Sequence, residues 1–495
     1  MFDKILVANR GEIAVRIMRT CQEMGIATVA VYSEADKKAL HVLTADEAVY
    51  LGDAEPAGSY LNMDKIIRAA LDSNAGAIHP GYGFLAENAA FAEKCEQAGL
   101  IFIGPPAKVI RELGDKTMAR RIMVKGGVPV IPGMTRAEAD PAAMAEEAEK
   151  IGYPVLIKAS SGGGGKGMRV VNGPEEMEPG CIAASSEAAA AFGNGAVYLE
   201  KYLERPRHIE FQILADAHGH VIHLLERECS IQRRHQKIIE ETPSPVMTPE
   251  LREEMGKAAV AAASASGYVN AGTVEFLLDR EKNFYFLEVN TRLQVEHPIT
   301  EMITGIDLVR RQIEIAAGGV LDLSQQDISG RGHAIECRIY AEDPENNFFP
   351  SPGRIAFLKE PAGPGIRNDC GVYEGAQVPV EYDPILSKLV CFAENRDAAI
   401  QRMVRALAGY VISGVKTSVP FLMDLFQSKA FMSGETFTDF IEEYFADWHP
   451  ADPPADLAGI AFIVDEMYSK TRVKKTMHPT GNTASPWETL GNWRG

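Results

Sequence analysis

The sequence predicts a mixed protein in which an α/β region, built on a doubly wound parallel sheet, is followed by α+β regions. Short apolar runs at residues 5–8, 28–32, 77–78 and 101–103 have strand character, and a helical pattern lies between the first two. Strands that alternate with helices are typical of a parallel sheet with helices on both faces. Residues 208–300 instead have mostly strand patterns, which indicates an α+β region.

The first helix is predicted to begin at Gly11, because Ile13, Ile17 and Cys21 recur at helical spacing. The turn before it has the sequence Asn-Arg-Gly and lacks Gly-x-Gly-x-x-Gly, so we do not expect a dinucleotide site. The later elements follow in order: a strand at 154–158, a glycine run, a strand at 168–171, a helix at 175–192, a strand at 196–203, a helix near 249–266, strands from 331 onward and a helix at 398–410.

Composition limits the function classes. A length of 495 residues predicts two to four domains at about 150 residues each. The formal net charge of −18 argues against a general binder of nucleic acid or of anionic membranes. The seven cysteines include no closely spaced pair, the start lacks a signal-peptide pattern, and no run of 18 strongly apolar residues occurs. We therefore expect a reduced, cytoplasmic protein.

The segment SSGGGGKGMRV at residues 160–170 is the first candidate functional motif. Consecutive glycines let backbone N–H groups approach phosphate oxygens closely, and Lys166 and the nearby Lys158 add positive charge. Lys166 is followed by Gly167 and not by Ser or Thr, so this is not a Walker A loop. Its place between two predicted strands indicates a flap over phosphates. The alternative is a mobile surface hairpin.

Two strands joined by a turn are predicted within residues 272–292. Pairing Asp279 with Phe284 places Leu277 opposite Phe286, Glu275 opposite Glu288 and Thr273 opposite Asn290. Directly opposed carboxylates repel unless a cation lies between them, and an all-oxygen ligand set suits Mg²⁺ or Mn²⁺. The alternative is a pair of solvated glutamates on an exposed sheet face.

Two further segments complete the predicted pocket. If the chain stays extended after Asn290, then Arg292, Gln294 and Glu296 share its side, where Arg292 could hold an oxyanion and Glu296 could act as a base. The alternative for residues 292–296 is a polar loop. The segment at 226–241 has no apolar stripe at helical spacing. Its clustered donors Gln232, His235 and Lys237 predict a basic pocket for an anion.

These pieces together resemble the biotin carboxylase component of biotin-dependent carboxylases, an ATP-grasp enzyme, over about residues 1–446. The resemblance rests on ANRGEIAVRI (8–17), HPGYGFLAEN (79–88), KASSGGGGKGMR (158–169), ERECSIQRRHQKIIEE (226–241), FLEVNTRLQVEHP (286–298) and GHAIECRIYAEDP (332–344). It implies an ATP-grasp fold at 114–330, with a mobile lid at about 131–204. An N-terminal pre-ATP-grasp domain at 1–113 and a C-terminal biotin-carboxylase domain at 331–446 would flank it, and 447–495 would form a tail.

The resemblance also implies roles for the matching positions. Nucleotide binding falls to Lys116, Lys158, Gly163, Gly164, Gly165, Lys166, Gly167, Met168, Glu200, Lys201, Leu203, His208, Gln232 and His235. The metals would be held by Glu275, Glu288 and Asn290. Bicarbonate would be positioned by Lys237, Arg292, Gln294 and Val295. Glu296 would be the base that deprotonates bicarbonate, Arg338 would stabilise the biotin enolate, and Tyr82 would lie beside the biotin ring.

The implied partners are ATP, Mg²⁺ or Mn²⁺ (two ions), bicarbonate, a carboxyltransferase and a second copy of the chain, with Arg19 and Glu23 as contacts. No Met-Lys-Met segment occurs, which implies that biotin is carried by a separate biotin carboxyl carrier protein. The final acceptor is expected to be an acyl-CoA of the acetyl-CoA or propionyl-CoA type, and a split pyruvate carboxylase is the alternative. The competing functions are another ATP-grasp ligase and an inactive scaffold subunit.

The tail at 447–495 has its own composition. Residues 470–495 contain five basic side chains against one acidic side chain, and Trp487 and Trp493 lie among them. Tryptophan on a basic segment suggests a docking arm for a partner subunit.

Overall fold

The structure is a computed structural model that describes residues 1–138, 140–160, 167–234 and 236–451, without the side chain of Phe192. It contains two compact units, Met1–Trp448 and His449–Gly495, and only residues 449–451 of the second are described. The predicted tail therefore lies almost wholly outside the described residues. Within the described ranges, no helix combines the length and the apolar character that a membrane span requires.

The N-terminal region is a five-stranded parallel sheet, as predicted, with the strand order β3-β2-β1-β4-β5. The first helix begins at Gly11, and Ile13, Ile17 and Cys21 are buried against the sheet. The elements are β1 (Lys4–Val7), α1 (Gly11–Glu23), β2 (Ala27–Ser33), α2 (Leu40–Thr44), β3 (Glu47–Gly52), α3 (Met63–Asp72), β4 (Ala77–His79), α4 (Ala89–Gln97), β5 (Ile101–Phe102) and α5 (Ala107–Gly114).

A small three-stranded antiparallel sheet with the order β7-β6-β8 comes next. It packs on two helices around its own apolar core, which includes Met144, Ile157 and Leu199. The strands β6 and β7 flank the glycine run as predicted. The elements are α6 (Lys116–Lys125), α7 (Pro141–Ile151), β6 (Val155–Ala159), β7 (Arg169–Val171), α8 (Met177–Phe192) and β8 (Val197–Lys201).

An eight-stranded antiparallel sheet forms the largest part of the molecule, with the order β13-β12-β9-β10-β11-β14-β21-β19. Its first elements are β9 (Arg207–Ala215), β10 (Val221–Arg233), β11 (Gln236–Thr242), α9 (Pro249–Ser266), β12 (Asn270–Leu278), β13 (Phe284–Asn290), α10 (His297–Thr304), α11 (Leu308–Ala316) and β14 (His333–Tyr340). Because β11 pairs with β14, the sheet continues across residue 330.

The C-terminal part adds two strands and a helical layer to this sheet. Its apolar core includes Leu389, Met403 and Phe421, and the Trp448 ring packs edge-on against Phe421 at 5.3 Å. The elements are β15 (Glu342–Asp343), β16 (Phe349–Pro350), β17 (Gly353–Arg354), β18 (Phe357–Lys359), β19 (Ile366–Cys370), β20 (Gln377–Val378), β21 (Ile385–Ala393), α12 (Arg396–Gly409), β22 (Val411–Ser413), α13 (Val419–Gln427), α14 (Lys429–Ser433) and α15 (Phe440–Tyr444).

Candidate active site

A cleft of about 570 Å³ lies between the three-stranded sheet and the eight-stranded sheet. Its apolar lining consists of Ile131, Leu156, Met168, Leu203, Pro206, Leu277, Leu287 and Val295. Its polar lining includes most of the site residues that the sequence singled out: Lys116, Lys158, Glu200, Lys201, His208, Gln232, Lys237, Glu275, Glu288, Asn290, Arg292, Gln294 and Arg338. A cleft with apolar walls and converging charges suits a ligand that has both a planar apolar part and anionic groups.

The β12–β13 hairpin carries the two opposed carboxylates, and its predicted register is confirmed for the pairs Glu275–Glu288 and Thr273–Asn290. The predicted pairing of Leu277 with Phe286 is wrong, because an irregularity after Glu275 leaves Leu287 as an extra residue on β13. A bulge reverses the face on which the residues beyond it lie. Phe286 therefore points into the core, and Leu287 lines the cleft.

The one-residue shift also changes the predicted strand pairs at the turn end of the hairpin. The sequence paired Asp279 with Phe284, whereas the strand partner of Phe284 is Leu278, and Leu277 pairs with Tyr285. The error is confined to the turn side of the bulge, so the carboxylate side keeps its predicted register.

The ligand set predicted for a metal lies on this hairpin. Glu275 Oε1 accepts hydrogen bonds from Asn290 Nδ2 at 2.7 Å and from Gln294 Nε2 at 3.1 Å. Burial would raise the pKa of Glu275, but Lys237 and His208 hold it well below its ordinary value, so this carboxylate is ionised at neutral pH. Glu288 is partly exposed to the cleft, and its Oε2 lies 3.6 Å from Lys116 Nζ. Two carboxylates and an amide oxygen are hard donors that fit Mg²⁺.

Lys237 lies at the centre of a group of charged side chains beside the cleft, which we call the charged wall and which also includes Glu210, Glu275, Arg292, Glu296 and Arg338. Its ammonium donates to Glu210 Oε2 at 2.6 Å, to Glu275 Oε1 at 2.7 Å and to Glu296 Oε1 at 2.8 Å. Burial would lower the pKa of Lys237, but the three carboxylates outweigh it and raise the pKa well above its ordinary value. Lys237 therefore stays cationic, and it draws carboxylates from three different elements to one point.

Glu296 lies at the start of α10, and its side chain is fully buried. Arg338 NH2 donates to its Oε2 at 3.0 Å, while Lys237 donates to its other oxygen. Burial would raise the pKa of Glu296, but Lys237, Arg338 and Arg227 hold it well below its ordinary value. The group is thus an ionised carboxylate between two cations that line the cleft.

The extended row predicted for residues 288–296 is wrong. The strand ends at Asn290, and turns lead into α10 at His297. The turns bring Arg292 to its partners, because its guanidinium donates to Glu87 Oε2 at 2.9 Å, Gln294 Oε1 at 3.0 Å and Asn290 Oδ1 at 3.1 Å. The predicted residues converge through a turn and not through a common strand face.

Lys158 and Lys116 also line the cleft. Lys158 Nζ donates to Glu200 Oε2 at 2.9 Å, and Arg120 NH1 donates to Glu200 Oε1 at 3.0 Å. Burial would raise the pKa of Glu200, but Lys158 and Arg120 lower it below its ordinary value. Glu200 therefore fixes the direction of Lys158. Both carboxylate oxygens of Glu200 accept a hydrogen bond from a cation.

The other predicted nucleotide-binding residues lie on several elements around the cleft. His208 Nδ1 lies 2.7 Å from Gln232 Nε2, and His208 Nε2 lies 2.9 Å from Glu275 Oε2. Gly167 has a left-handed φ of +71° and is tightly packed, and the neighbouring Met168 lines the cleft. Lys201 donates to two backbone carbonyls. The predictions for Gly163, Gly164, Gly165, Lys166 and His235 lie outside the described residues.

Val295 lines the cleft, and Tyr82 is partly exposed. The Tyr82 hydroxyl donates to Glu12 Oε1, and the Val295 carbonyl accepts from Lys388 Nζ at 2.9 Å.

Several charged groups that shape the site were not predicted from the sequence. Glu87 holds Arg292, Arg120 holds Glu200, and Glu210 binds both Lys237 and the fully buried Arg227. Glu240 accepts from Arg338 Nε at 2.8 Å. The only sequence signal was their presence in charged segments, which does not reveal partners far along the chain.

A buried pair of acids lies under the site. Glu240 on β11 is directly opposite Glu336 on β14, and neither Glu336 oxygen has a hydrogen-bond partner among the described residues. Burial raises the pKa of Glu336 well above its ordinary value and that of Glu240 to about 7. At neutral pH this pair therefore retains a proton.

Replacing Glu336 with glutamine should flatten the loss of stability at alkaline pH. The folded-state pKa of Glu336 is raised above its unfolded value, so its stabilising contribution is lost as the pH rises through the folded pKa. Glutamine cannot ionise, whereas an unpaired buried polar group costs about 1–3 kcal/mol, and at least the upper end of that range when it is charged. We expect E336Q to gain that much relative to the wild type between pH 6 and pH 9, measured by urea unfolding.

The exposed Glu345 provides the control for this prediction, because E345Q should follow the wild-type stability curve at both pH values. An E336Q curve parallel to that of the wild type would show that Glu336 is ionised throughout.

Family models match most of the chain. The biotin carboxylase N-terminal domain matches residues 1–110, the ATP-binding domain of the carbamoyl-phosphate synthase L chain matches 115–324, and the biotin carboxylase C-terminal domain matches 336–443.

Several proteins are about 50% identical to this chain over most of its length. A pyruvate carboxylase subunit of Methanothermobacter thermautotrophicus is 57% identical over 90% of each chain. The biotin carboxylase of Nostoc is 55% identical over 89% of this chain and 99% of its own. The α-subunit of mitochondrial methylcrotonoyl-CoA carboxylase from Dictyostelium discoideum is 49% identical over 99% of this chain and 70% of its own.

A solved structure has the same fold. The biotin carboxylase domain dimer of 2-oxoglutarate carboxylase from Hydrogenobacter thermophilus, in complex with MgADP, ADP and bicarbonate, superposes with a TM-score of 0.88. It is 50% identical, and the match covers 91% of this chain and all of that one.

Proposed function

The chain belongs to the biotin carboxylase family of ATP-dependent ligases, and we propose that it carboxylates biotin on a separate biotin carboxyl carrier protein as the first half-reaction of an acyl-CoA carboxylase. The observation that carries the proposal is the buried Glu296 carboxylate, which is held ionised directly behind Lys237 and Arg338, two cations that line the cleft. An acceptor of protons between two cations suits a substrate that is an anion and must lose a proton.

The nucleotide occupies the cleft in this proposal. Lys116 and Lys158 bind the phosphates of ATP, together with the glycine segment at 163–167, and the apolar side chains of the lining contact the adenine. Glu275, Glu288 and Asn290 would hold Mg²⁺ or Mn²⁺, which neutralises charge on the phosphoryl group that is transferred. The opposed carboxylates on the hairpin support this assignment.

Bicarbonate binds next to the phosphates in this proposal. Arg292, Gln294, Lys237 and the backbone at Val295 hold it, and Glu296 accepts its proton as it attacks the γ-phosphoryl group. The product, carboxyphosphate, breaks down to CO₂ and phosphate, phosphate takes the N1′ proton of biotin, and the nitrogen captures CO₂. Arg338 stabilises the enolate oxygen of biotin, because its guanidinium is fixed by Glu240 and Glu296 at the cleft.

An acyl-CoA acceptor is supported by the share of this chain that one relative matches. The match to the Dictyostelium methylcrotonoyl-CoA carboxylase covers 99% of the chain, whereas the match to the Methanothermobacter pyruvate carboxylase covers 90%. The higher identity of the latter, 57% against 49%, favours the alternative, a split pyruvate carboxylase. A homodimer is proposed on the dimer of the Hydrogenobacter structure, and Arg19 and Glu23 are exposed on α1.

Affinity purification of the tagged chain from its native host tests these partners. We expect mass spectrometry to identify a biotinylated protein and a carboxyltransferase in the eluate, and the purified complex to carboxylate acetyl-CoA or propionyl-CoA. A complex that carboxylates pyruvate and neither acyl-CoA would contradict the acceptor.

The same experiment tests the proposed docking arm. The matched variant ends at Trp448, because its indole donates to Asp424 Oδ2 at 2.8 Å and belongs to the first compact unit. We expect residues 1–448 to keep activity on free biotin and to recover less of the partner proteins. Equal recovery by the two chains would contradict a docking role.

A further inference from the structure

Lys388 on β21 is a fully buried lysine outside the cleft lining, and the roles proposed above do not involve it. Its ammonium donates to the Val295 carbonyl at 2.9 Å and lies 3.3 Å from Glu12 Oε2. It also lies 5.8 Å from the centre of the Tyr82 ring. One cation thus contacts the N-terminal region, the turn before α10 and the C-terminal strand that carries it.

Glu12 is the second member of this connection. It lies in the first turn of α1, is 2% exposed, and accepts from the Tyr82 hydroxyl with the oxygen that does not face Lys388. Burial raises the pKa of Glu12 to about 7, and Lys388 opposes that rise. The carboxylate therefore joins Tyr82 to Lys388 directly, with no other side chain between them.

Val295 is the third member. Its carbonyl accepts from Lys388, and the next residue along the chain is Glu296, the proposed base. Displacement of a reacting group by about 1 Å can cost on the order of 100-fold in rate. A shift of the ammonium would move the Val295 peptide and with it the direction of the Glu296 carboxylate relative to Lys237 and Arg338.

We propose that Lys388 is a positioning residue that couples the biotin contact at Tyr82, through Glu12, to the bicarbonate turn at Val295–Glu296. The inference rests on the proposed function, because it takes the biotin and bicarbonate subsites from there. Biotin that settles against Tyr82 would fix Glu12 and Lys388, and these would hold the base in its working direction. Biotin would thereby accelerate ATP cleavage by ordering the bicarbonate subsite.

The competing role for Lys388 is structural. A buried cation neutralises buried acids, and here Glu336 on β14 and Asp369 on β19 also feel its charge. Removing one partner of such a pair leaves the other as an uncompensated buried charge. The test must therefore separate folding stability from coupling.

The variant that tests the proposal is K388M, assayed in the full chain by ADP formation with bicarbonate, with and without free biotin. We expect the ratio of the two rates to fall about tenfold, the size of a typical coupling between sites, with a KM for ATP within about twofold of the wild type. Lys416, an exposed lysine that pairs with Asp343, supplies the control, and K416M should keep the wild-type ratio.

A double variant separates the two roles. E12Q/K388M removes both charges, so it should regain thermal stability lost in K388M while the low biotin ratio remains. Recovery of the ratio together with stability would overturn the proposal, and so would a wild-type ratio in K388M itself. If K388M does not fold, Y82F decides, because it removes only the hydroxyl that donates to Glu12. Measured at saturating biotin, so that weaker biotin binding has no effect, a lowered ratio in Y82F would support the coupling, and an unchanged ratio would overturn it.

Failure of the proposed function has a different signature. If the wild-type chain shows no acceleration by biotin at all, the function itself is contradicted. If the wild type responds to biotin and the variants respond equally, only the role of Lys388 is lost.

Discussion

Replacing Glu296 with glutamine should lower the kcat of bicarbonate-dependent ATP cleavage by about 10²–10⁴-fold, the usual contribution of a positioned general base. Glutamine keeps the size of the side chain, and its single amide oxygen can accept from one of the two cations, Lys237 or Arg338, but it cannot take a proton. The wild-type carboxylate is ionised because these cations hold its pKa well below the ordinary value, so bicarbonate always meets the basic form at neutral pH. The KM for ATP should change little.

The matched control for E296Q is E301Q. Glu301 is a buried acid on the same helix, and it binds Arg16 and Arg367 away from the cleft. We expect E301Q to lower the melting temperature while its kcat stays within a few-fold of the wild type. Full bicarbonate-dependent turnover in E296Q would overturn the assignment of the base.

Replacing Arg338 with methionine should lower the rate of biotin carboxylation by about 10²–10³-fold, the scale for one donor that stabilises a developing oxyanion. Arg338 is held at the cleft by Glu240 at 2.8 Å and by Glu296 at 3.0 Å. Its loss also removes a cation that lowers the pKa of both acids. The rise of the pKa of Glu296 should move the acid limb of the pH–rate profile of kcat toward higher pH.

R396M is the control for this variant. Arg396 binds Glu241, the neighbour of Glu240 on β11, and it does not line the cleft. This variant should lose stability and keep the wild-type pH profile. An R338M enzyme with an unshifted profile and wild-type biotin carboxylation would show that Arg338 has only a structural role.

The hairpin shows how far a sequence determines a site. Strand alternation and an assumed turn predicted the opposition of Glu275 and Glu288, but the assumed turn register was wrong by one residue, and the bulge at Leu287 restored the predicted pair. The bulge at Leu287 could not be predicted, because a single extra residue has no compositional signature and is decided by core packing of Phe276 and Phe286 against neighbouring strands.

For the charged wall, the residues could be predicted from the sequence, but their contacts could not. Lys237, Arg292 and Glu296 were singled out from local patterns, and the structure brings them together through contacts with residues far along the chain. Glu87 lies 205 positions before Arg292, and Lys388 lies 93 positions after Val295. Such partners depend on the tertiary arrangement of three regions. The parallel sheet was predictable for the opposite reason, since alternation of strands and helices is a local signal.

The continuity of the eight-stranded sheet was also beyond local patterns. The pairing of β11 with β14 joins residue 240 to residue 336 and places Glu240 beside Arg338. Strand order in an antiparallel sheet is set by which apolar faces pack together, and the sequence of each strand leaves that choice open.

The most direct test of the central claim is the fixation of labelled bicarbonate by the purified full chain, with ATP, Mg²⁺ and free biotin, alongside ADP formation. We expect acid-labile carboxybiotin that appears only when ATP, bicarbonate and biotin are all present, with ADP formation accelerated by biotin. ADP formation that is driven by ammonia or an amino acid, without label in biotin, would contradict it and would indicate a different ATP-grasp ligase.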